Sequence, residues 1–142
     1  MKHEMVTRVE DITFRYPHHR EAVKELVSIF WEKEEVIALV FGGSVAKHME
    51  RPDSDIDAMV VVTDDFYEKA KAENCTAGTI PMGDCAYPGG YFDYKYMTKD
   101  FIRDAAAKAS EPTRNSFIGS HVMFSADPEV TELVSKIPVF QE

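Results

Sequence analysis

Basic residues are scarce in this chain: 16 lysines and arginines stand against 25 aspartates and glutamates, a formal net charge of −9. Binders of long nucleic acid contact phosphates through Lys and Arg and carry a basic excess. That class is disfavoured, although a local basic patch, or metal ions bridging acids to phosphates, survives the objection. Cysteine is equally sparse, with only Cys75 and Cys85. Two cysteines with no close His or Cys pair fall short of a structural zinc site. In a reducing compartment they read as free thiols. The five histidines are scattered, without His-x-x-x-His spacing. No apolar run approaches the roughly 18 residues that span a bilayer, and Met1-Lys2-His3-Glu4 leads into no apolar signal core. The expectation is a cytoplasmic protein with no membrane partner.

What is present is ordinary globular material, 44% hydrophobic and 29% charged over 142 residues. That length supports one domain with a real core and not two, so residues 1–142 are expected to form a single unit. The first fifteen or so residues, ending in Ile12 to Tyr16, show a short apolar alternation that suggests an edge strand. Pro17 suits the first turn of a helix. Val23, Leu26, Val27, Phe30 and Trp31 then recur at helical spacing to about Glu34. Val36 to Phe41 is continuously apolar and stops at glycines, as a strand buried on both faces does. Ser44 to Met49 suggests a short helix, and Arg51-Pro52-Asp53-Ser54 is turn chemistry. Asp55 to Thr63 reads as a second strand, with a helix capped by Thr63 or Asp64 running to about Ala72. Residues 73–90 read as loop with room for short β pieces. Tyr91 to Met97 is an aromatic, alternating strand. A helix from Asp100 to Ala109, an unassigned stretch at 113–117, a strand at 120–125 and a helix from Pro128 to Lys136 complete the chain. The implied class is α/β or α+β, a mixed twisted sheet flanked by helices.

Three acids carry the chemistry. Asp55 and Asp57, two apart in a strand, project to one face about 7 Å apart. That face continues through Met59 and Val61 and is otherwise apolar, so carboxylates at its mouth are costly unless hydrated, paired or bound to a cation. Magnesium takes oxygen ligands and is commonly held by one or two carboxylates plus substrate phosphates. A third acid from a neighbouring strand would complete a two-metal clamp. Asp93, between Phe92 and Tyr94, has no evident structural reason to be there. An Asp-x-Asp alone is more often a cap or solvated turn, and a Gly-Gly-Ser alone more often just a turn. Their combination weighs more: a buried strand ending in Gly42-Gly43-Ser44, a spacer, then Asp55-Ile56-Asp57 opening the next strand. Glycines admit close backbone approach to phosphate, and Ser44 offers a hydroxyl near a helix start.

This arrangement, Gly42-Gly43-Ser44 followed by Asp55-Ile56-Asp57 running into Ala-Met-Val-Val-Val, resembles the DNA polymerase beta-like nucleotidyltransferase superfamily. Asp93 in Tyr-Phe-Asp-Tyr-Lys-Tyr matches the family's third metal carboxylate, and the motif-bearing part spans residues 36–97. The resemblance implies transfer of a nucleoside monophosphate from an NTP, with ATP the foremost donor. It implies Asp55, Asp57 and Asp93 as catalytic residues and ligands of Mg2+ (or Mn2+), and Gly42, Gly43, Ser44 and Lys47 as the nucleotide-binding set. Many small members carry an Arg shortly after the Gly-Ser; here the stretch is Ser44-Val45-Ala46-Lys47-His48, and Lys47 or Arg51 is the available substitute. Members also often carry a C-terminal helical region that binds base or acceptor, and this sequence runs 49 residues beyond Asp93.

The remaining candidates weigh evenly or toward structure. Arg114 could reach a phosphate or make a surface ion pair. His18, His19 and His48 read as solvent-facing and His121 as a core residue. Tyr91, Tyr94 and Tyr96 could stack on a base but more often pack a core. Lys95 could neutralise Asp93 or touch a phosphate. Three readings follow. One is a transferase acting on a hydroxyl of a small molecule or protein, as in antibiotic-modifying enzymes and the small transferases of toxin–antitoxin pairs. The second is a non-catalytic antitoxin or regulatory module working through a partner protein, which a helical protein would fit. The third is a generic α/β domain in which the match is accidental, with Asp93 far from Asp55 and Asp57. A homodimer or a helical partner protein is the expected assembly.

Overall fold

A computed structural model describes residues 2–108 and 110–138. Six strands form one mixed sheet in the order β1-β6-β2-β3-β5-β4. They are β1 (Glu4–Met5), β2 (Val36–Gly42), β3 (Ile56–Val62), β4 (Ala77–Pro81), β5 (Tyr91–Met97) and β6 (His121–Ser125). The helices are α1 (Pro17–Trp31), α2 (Gly43–Ala46), α3 (Asp64–Ala72), α4 (Lys99–Lys108), α5 (Glu111–Phe117) and α6 (Pro128–Lys136). The mixed α/β class expected from the sequence is the one observed.

The two central strands explain the layering. β2 and β3 are buried along nearly their whole length, so their alternate residues feed two separate cores. Leu39 and Phe41 of β2, with Ile56, Ala58, Val60 and Val62 of β3, pack beneath α1, against Ala22, Val23, Leu26 and Phe30. Ala38, Val40, Met59 and Val61 face the other way, onto Ile102 of α4, Phe117 of α5, and Val130 and Val134 of α6. Burying a side chain of this size is worth about 1.5–3 kcal/mol, so both faces are committed and a one-residue register slip would be expensive. Lys99 ties the starts of α4 and α6 together, 2.7 Å from Asp127 and 2.6 Å from Glu129.

Three readings of the sequence are amended. Residues 12–16 do not form the edge strand. Ile12 is buried and the Phe14 ring stacks 6.1 Å from Phe41, so the alternation serves packing without a ladder. The edge strand is instead Glu4–Met5, paired with Phe124 and Ser125. His19 is completely buried rather than solvent-facing, because it shares the inner face of α1 with Ala22, Val23, Leu26 and Phe30. The unassigned stretch near 113 is helix α5, whose start carries a proline and a Ser110 side chain accepting from the Thr113 N–H at 3.4 Å. The helix from 100 runs to Lys108; its expected last residue, Ala109, lies outside the described residues.

Candidate active site

β3 and β5 run parallel, and their register sets Asp57 directly beside Asp93. Paired residues of neighbouring strands project to the same face and sit about 5 Å apart. On the far side of β3, the antiparallel register with β2 places Gly42 opposite Asp57. Gly42, Asp57 and Asp93 thus form one line across three strands, at the end of the sheet where β2 finishes and β3 and β5 begin. Further along, the same face carries Met59, Val61 and Met97 into the α4–α6 core. The two carboxylates stand where the apolar face gives way to a cleft.

Gly43 shapes that cleft. Its φ is +80°, a conformation L side chains rarely adopt, and a Cβ there would fall into the Asp57 carboxylate. Only glycine lets the chain turn from β2 into α2 while lying against this acid. Gly42 is buried, and a Cβ on it would meet Met59 Cε at 2.7 Å, so this glycine serves close packing. Ser44 is half-buried in the first turn of α2, where helical geometry leaves backbone N–H groups without intrahelical acceptors. Lys47, which ends α2, reaches the cleft.

The cleft holds about 390 Å3 and is lined by Gly43, Lys47, Asp57, Asp93 and Lys95, and from α4 and α5 by Phe101, Thr113 and Asn115. Its electrostatics centre on Asp57. Burial, then the charge of Asp93, then that of Asp55 push its carboxyl up to about 6, and Lys47 opposes them. Its ionised form is therefore costly until a cation replaces the lost water.

Asp55 stands immediately before β3, and its charge acts on Asp57. The Tyr91 hydroxyl faces it, and the hydrogen bond and negative charge of Asp55 hold that phenol above its ordinary pKa. The turn that delivers Asp55 is fastened at several points. Arg51 N–H donates to the Ser54 hydroxyl at 2.8 Å. His18 Nε2 lies 2.7 Å from the Pro52 carbonyl, and the Tyr87 hydroxyl donates to the Ser54 carbonyl at 2.6 Å. Gly89, at φ +80°, lies against Asp53. Burial raises the Tyr87 pKa, and Asp55 and Asp53 add to it.

Sequence reasoning missed Tyr87 and His18 as supports of this turn, and Phe101 and Asn115 as cleft residues. Neither tyrosine nor histidine carries a spacing signal, since their partners are backbone carbonyls more than thirty residues away. Of the tyrosines weighed as stacking residues, Tyr94 and Tyr96 pack in the α1-side core. Tyr94 lies 6.4 Å from Phe30 and 5.0 Å from Tyr96, and Tyr96 lies 5.2 Å from Phe66. Burial takes Tyr96 up to about 12. Arg114 pairs with Glu111 on its own helix. His121 is half-buried, and burial together with His48 lowers its pKa.

The donor chemistry suits a hard divalent cation: carboxylate oxygens, mutual repulsion focused on Asp57, and one nearby lysine. Ligating geometry is a separate matter. Among the described residues, no three His, Cys, Asp or Glu side chains converge so as to hold a metal ion together. Among the same residues no helix is long and apolar enough to cross a membrane.

No curated protein matches the chain. The family model for the nucleotidyltransferase domain matches residues 19–110, from the first turn of α1 through β5 to the end of α4, and includes the glycines and all three acids. With its mixed sheet and the glycine turn lying against registered aspartates, the chain belongs to the nucleotidyltransferase domain family, within the DNA polymerase beta-like superfamily.

Proposed function

We propose that the protein transfers a nucleoside monophosphate from an NTP to a hydroxyl on a small molecule or protein. The observation that carries this reading is the Asp57–Asp93 pair in register, with Gly43 closed against Asp57. Phosphoryl transfer asks a protein for positioning and charge neutralisation more than for covalent chemistry. An acidic pair beside a glycine turn offers both once a divalent cation is bound.

Asp57 and Asp93 would hold Mg2+ or Mn2+, with Asp55 contributing from the edge of the cleft. The bound ion would neutralise triphosphate charge and polarise the α-phosphate. Gly43, the Ser44 hydroxyl and the α2 backbone would take the β- and γ-phosphates, and Lys47 would supply a cation. The acceptor oxygen attacks the α-phosphorus, its proton passing toward Asp93. The bond from the α-phosphorus to the bridging oxygen breaks, and pyrophosphate leaves. The acidic balance of the chain supports a small-molecule or protein acceptor over long nucleic acid. ATP is the first donor to try, and a second copy of the chain or a helical protein is the partner class to look for.

The test is transfer from α-labelled NTPs, each with Mg2+ or Mn2+, onto cell extract and onto the protein itself. Label that requires metal and disappears in Asp57→Asn and Asp93→Asn supports the reading. Label that persists in both variants, or no metal-dependent transfer with any NTP or extract, contradicts it.

A further inference from the structure

Resting on that reading, we propose that the protein is its own acceptor and transfers a nucleoside monophosphate to the hydroxyl of Tyr91 within the same chain. Tyr91 opens β5, two residues before Asp93 and on the same face of the strand. The parallel register pairs Ile56 with Phe92 and Asp57 with Asp93, and its extension by one residue sets Asp55 beside Tyr91. Each acid of Asp55-Ile56-Asp57 thus has a partner on β5, a carboxylate for one and a phenol for the other. The phenol hydroxyl donates to the Asp55 carboxylate, and the charges of Asp93 and Asp57 reach it as well.

The chain before β5 holds this hydroxyl where it is. Tyr87 donates to the Ser54 carbonyl at 2.6 Å, Gly89 lies against Asp53, and Tyr91 takes Asp55, so residues 87–91 are laid along residues 53–55. A Cβ on Gly90 would fall into the Tyr87 ring, which fixes the approach to Tyr91 closely. Burial does not explain the placement. Of the six tyrosines, Tyr91 is the exposed one, with 40% of its surface in solvent. Hydroxyls on the α5 side of the cleft are already engaged: Ser116 donates to the Pro112 carbonyl at 2.9 Å, and Thr113 accepts from Ser110 at 3.0 Å. A hydroxyl bonded to a carboxylate is the pairing of a nucleophile with its base. In the step, Tyr91 Oη bonds to the α-phosphorus while the bond from that phosphorus to the bridging oxygen breaks. Pyrophosphate leaves, and the phenol proton passes along its existing hydrogen bond to Asp55 and on to water. The product is a phosphodiester between the tyrosine oxygen and the nucleoside.

The experiment gives the full chain each of the common NTPs with Mg2+ or Mn2+ and no other acceptor, and maps the product by intact-protein and peptide mass spectrometry. The protein is also measured as purified, where a nucleotide already on Tyr91 counts as the expected product. The inference predicts one nucleoside monophosphate per chain, located on Tyr91 and formed at a first-order rate that does not change with protein concentration. Tyr91→Phe should abolish the adduct while keeping the wild-type Tm; should that variant fail to fold, the mapped site and the rate law of the wild type still decide. A readout without transfer is acetylation by N-acetylimidazole, from which Mn2+ and a non-transferable nucleoside α,β-methylene triphosphate should shield Tyr91. Three results overturn the inference: an adduct confined to other residues, a rate rising with protein concentration, or a Tyr91 that stays both unlabelled and unshielded. Label on acceptors in cell extract under those same conditions leaves the transferase reading intact. Label nowhere, on the chain or on the extract, sinks that reading and the self-transfer with it.

Discussion

A Cβ built on Gly43 would stand 2.6 Å from Cγ and 2.8 Å from Cβ of Asp57, nearer than non-bonded carbons approach one another. Turn and acid are therefore fitted to each other, and the position of one constrains the other.

Gly43→Ala should accordingly damage the protein in two ways. The left-handed φ costs an alanine about 1–2 kcal/mol, and the collision displaces the Asp57 carboxylate. Transfer activity is expected to fall at least tenfold. In a double-mutant cycle monitored by urea denaturation, the cost of Gly43→Ala should shrink by about 1 kcal/mol when Asp57 is already alanine. Strict additivity would mean that the two residues do not press on one another.

Asp57 also makes stability depend on pH. Its folded pKa of about 6 exceeds the ordinary 3.8, so the folded state prefers the protonated form. The stability linked to that proton is fully present below about pH 4 and is lost as pH rises through 6. In metal-free buffer, Asp57→Asn should raise Tm relative to wild type at pH 7.5. That advantage should narrow steadily on acidification to pH 4.5. A Tm difference that stays constant over this interval would show that Asp57 titrates normally.

Tyr87→Phe removes the hydroxyl that donates to the Ser54 carbonyl, one residue before Asp55. Losing one such bond costs about 1 kcal/mol of stability, and the larger effect is expected on the site. The Mn2+ concentration giving half-maximal transfer should rise several-fold, with the NTP dependence measured at saturating metal changing less. An unaltered metal-activation curve would mean that Asp55 is held in place without this bond.

Much of this arrangement was legible in the sequence, for identifiable reasons. The run Val36–Phe41 has no polar residue, so burial on both faces is nearly its only outcome, and β2 appears where expected. Thr63 before Asp64-Asp65 is a capping pattern, and its hydroxyl does accept from the Phe66 N–H, at 3.4 Å. Asp57 and Asp93 stood out because acids interrupt otherwise apolar or aromatic strands. Their lateral pairing was not legible, since register between strands thirty-six residues apart is fixed by the packing of both faces and not by local pattern. Alternation misled at Ile12–Tyr16, where Phe14 packs on Phe41 with no strand beside it to complete a ladder. His19 looked like half of a polar pair, but its place on the inner face of α1 decided its burial.

The most direct measurement is Mn2+ binding, followed by electron paramagnetic resonance, in the presence and absence of a nucleoside α,β-methylene triphosphate. The account predicts weak binding by the protein alone and binding at least tenfold tighter with the nucleotide, lost in both Asp57→Asn and Asp93→Asn. Mn2+ binding that ignores the nucleotide, or that survives in both variants, would contradict the assignment of this cleft as the site of nucleotidyl transfer.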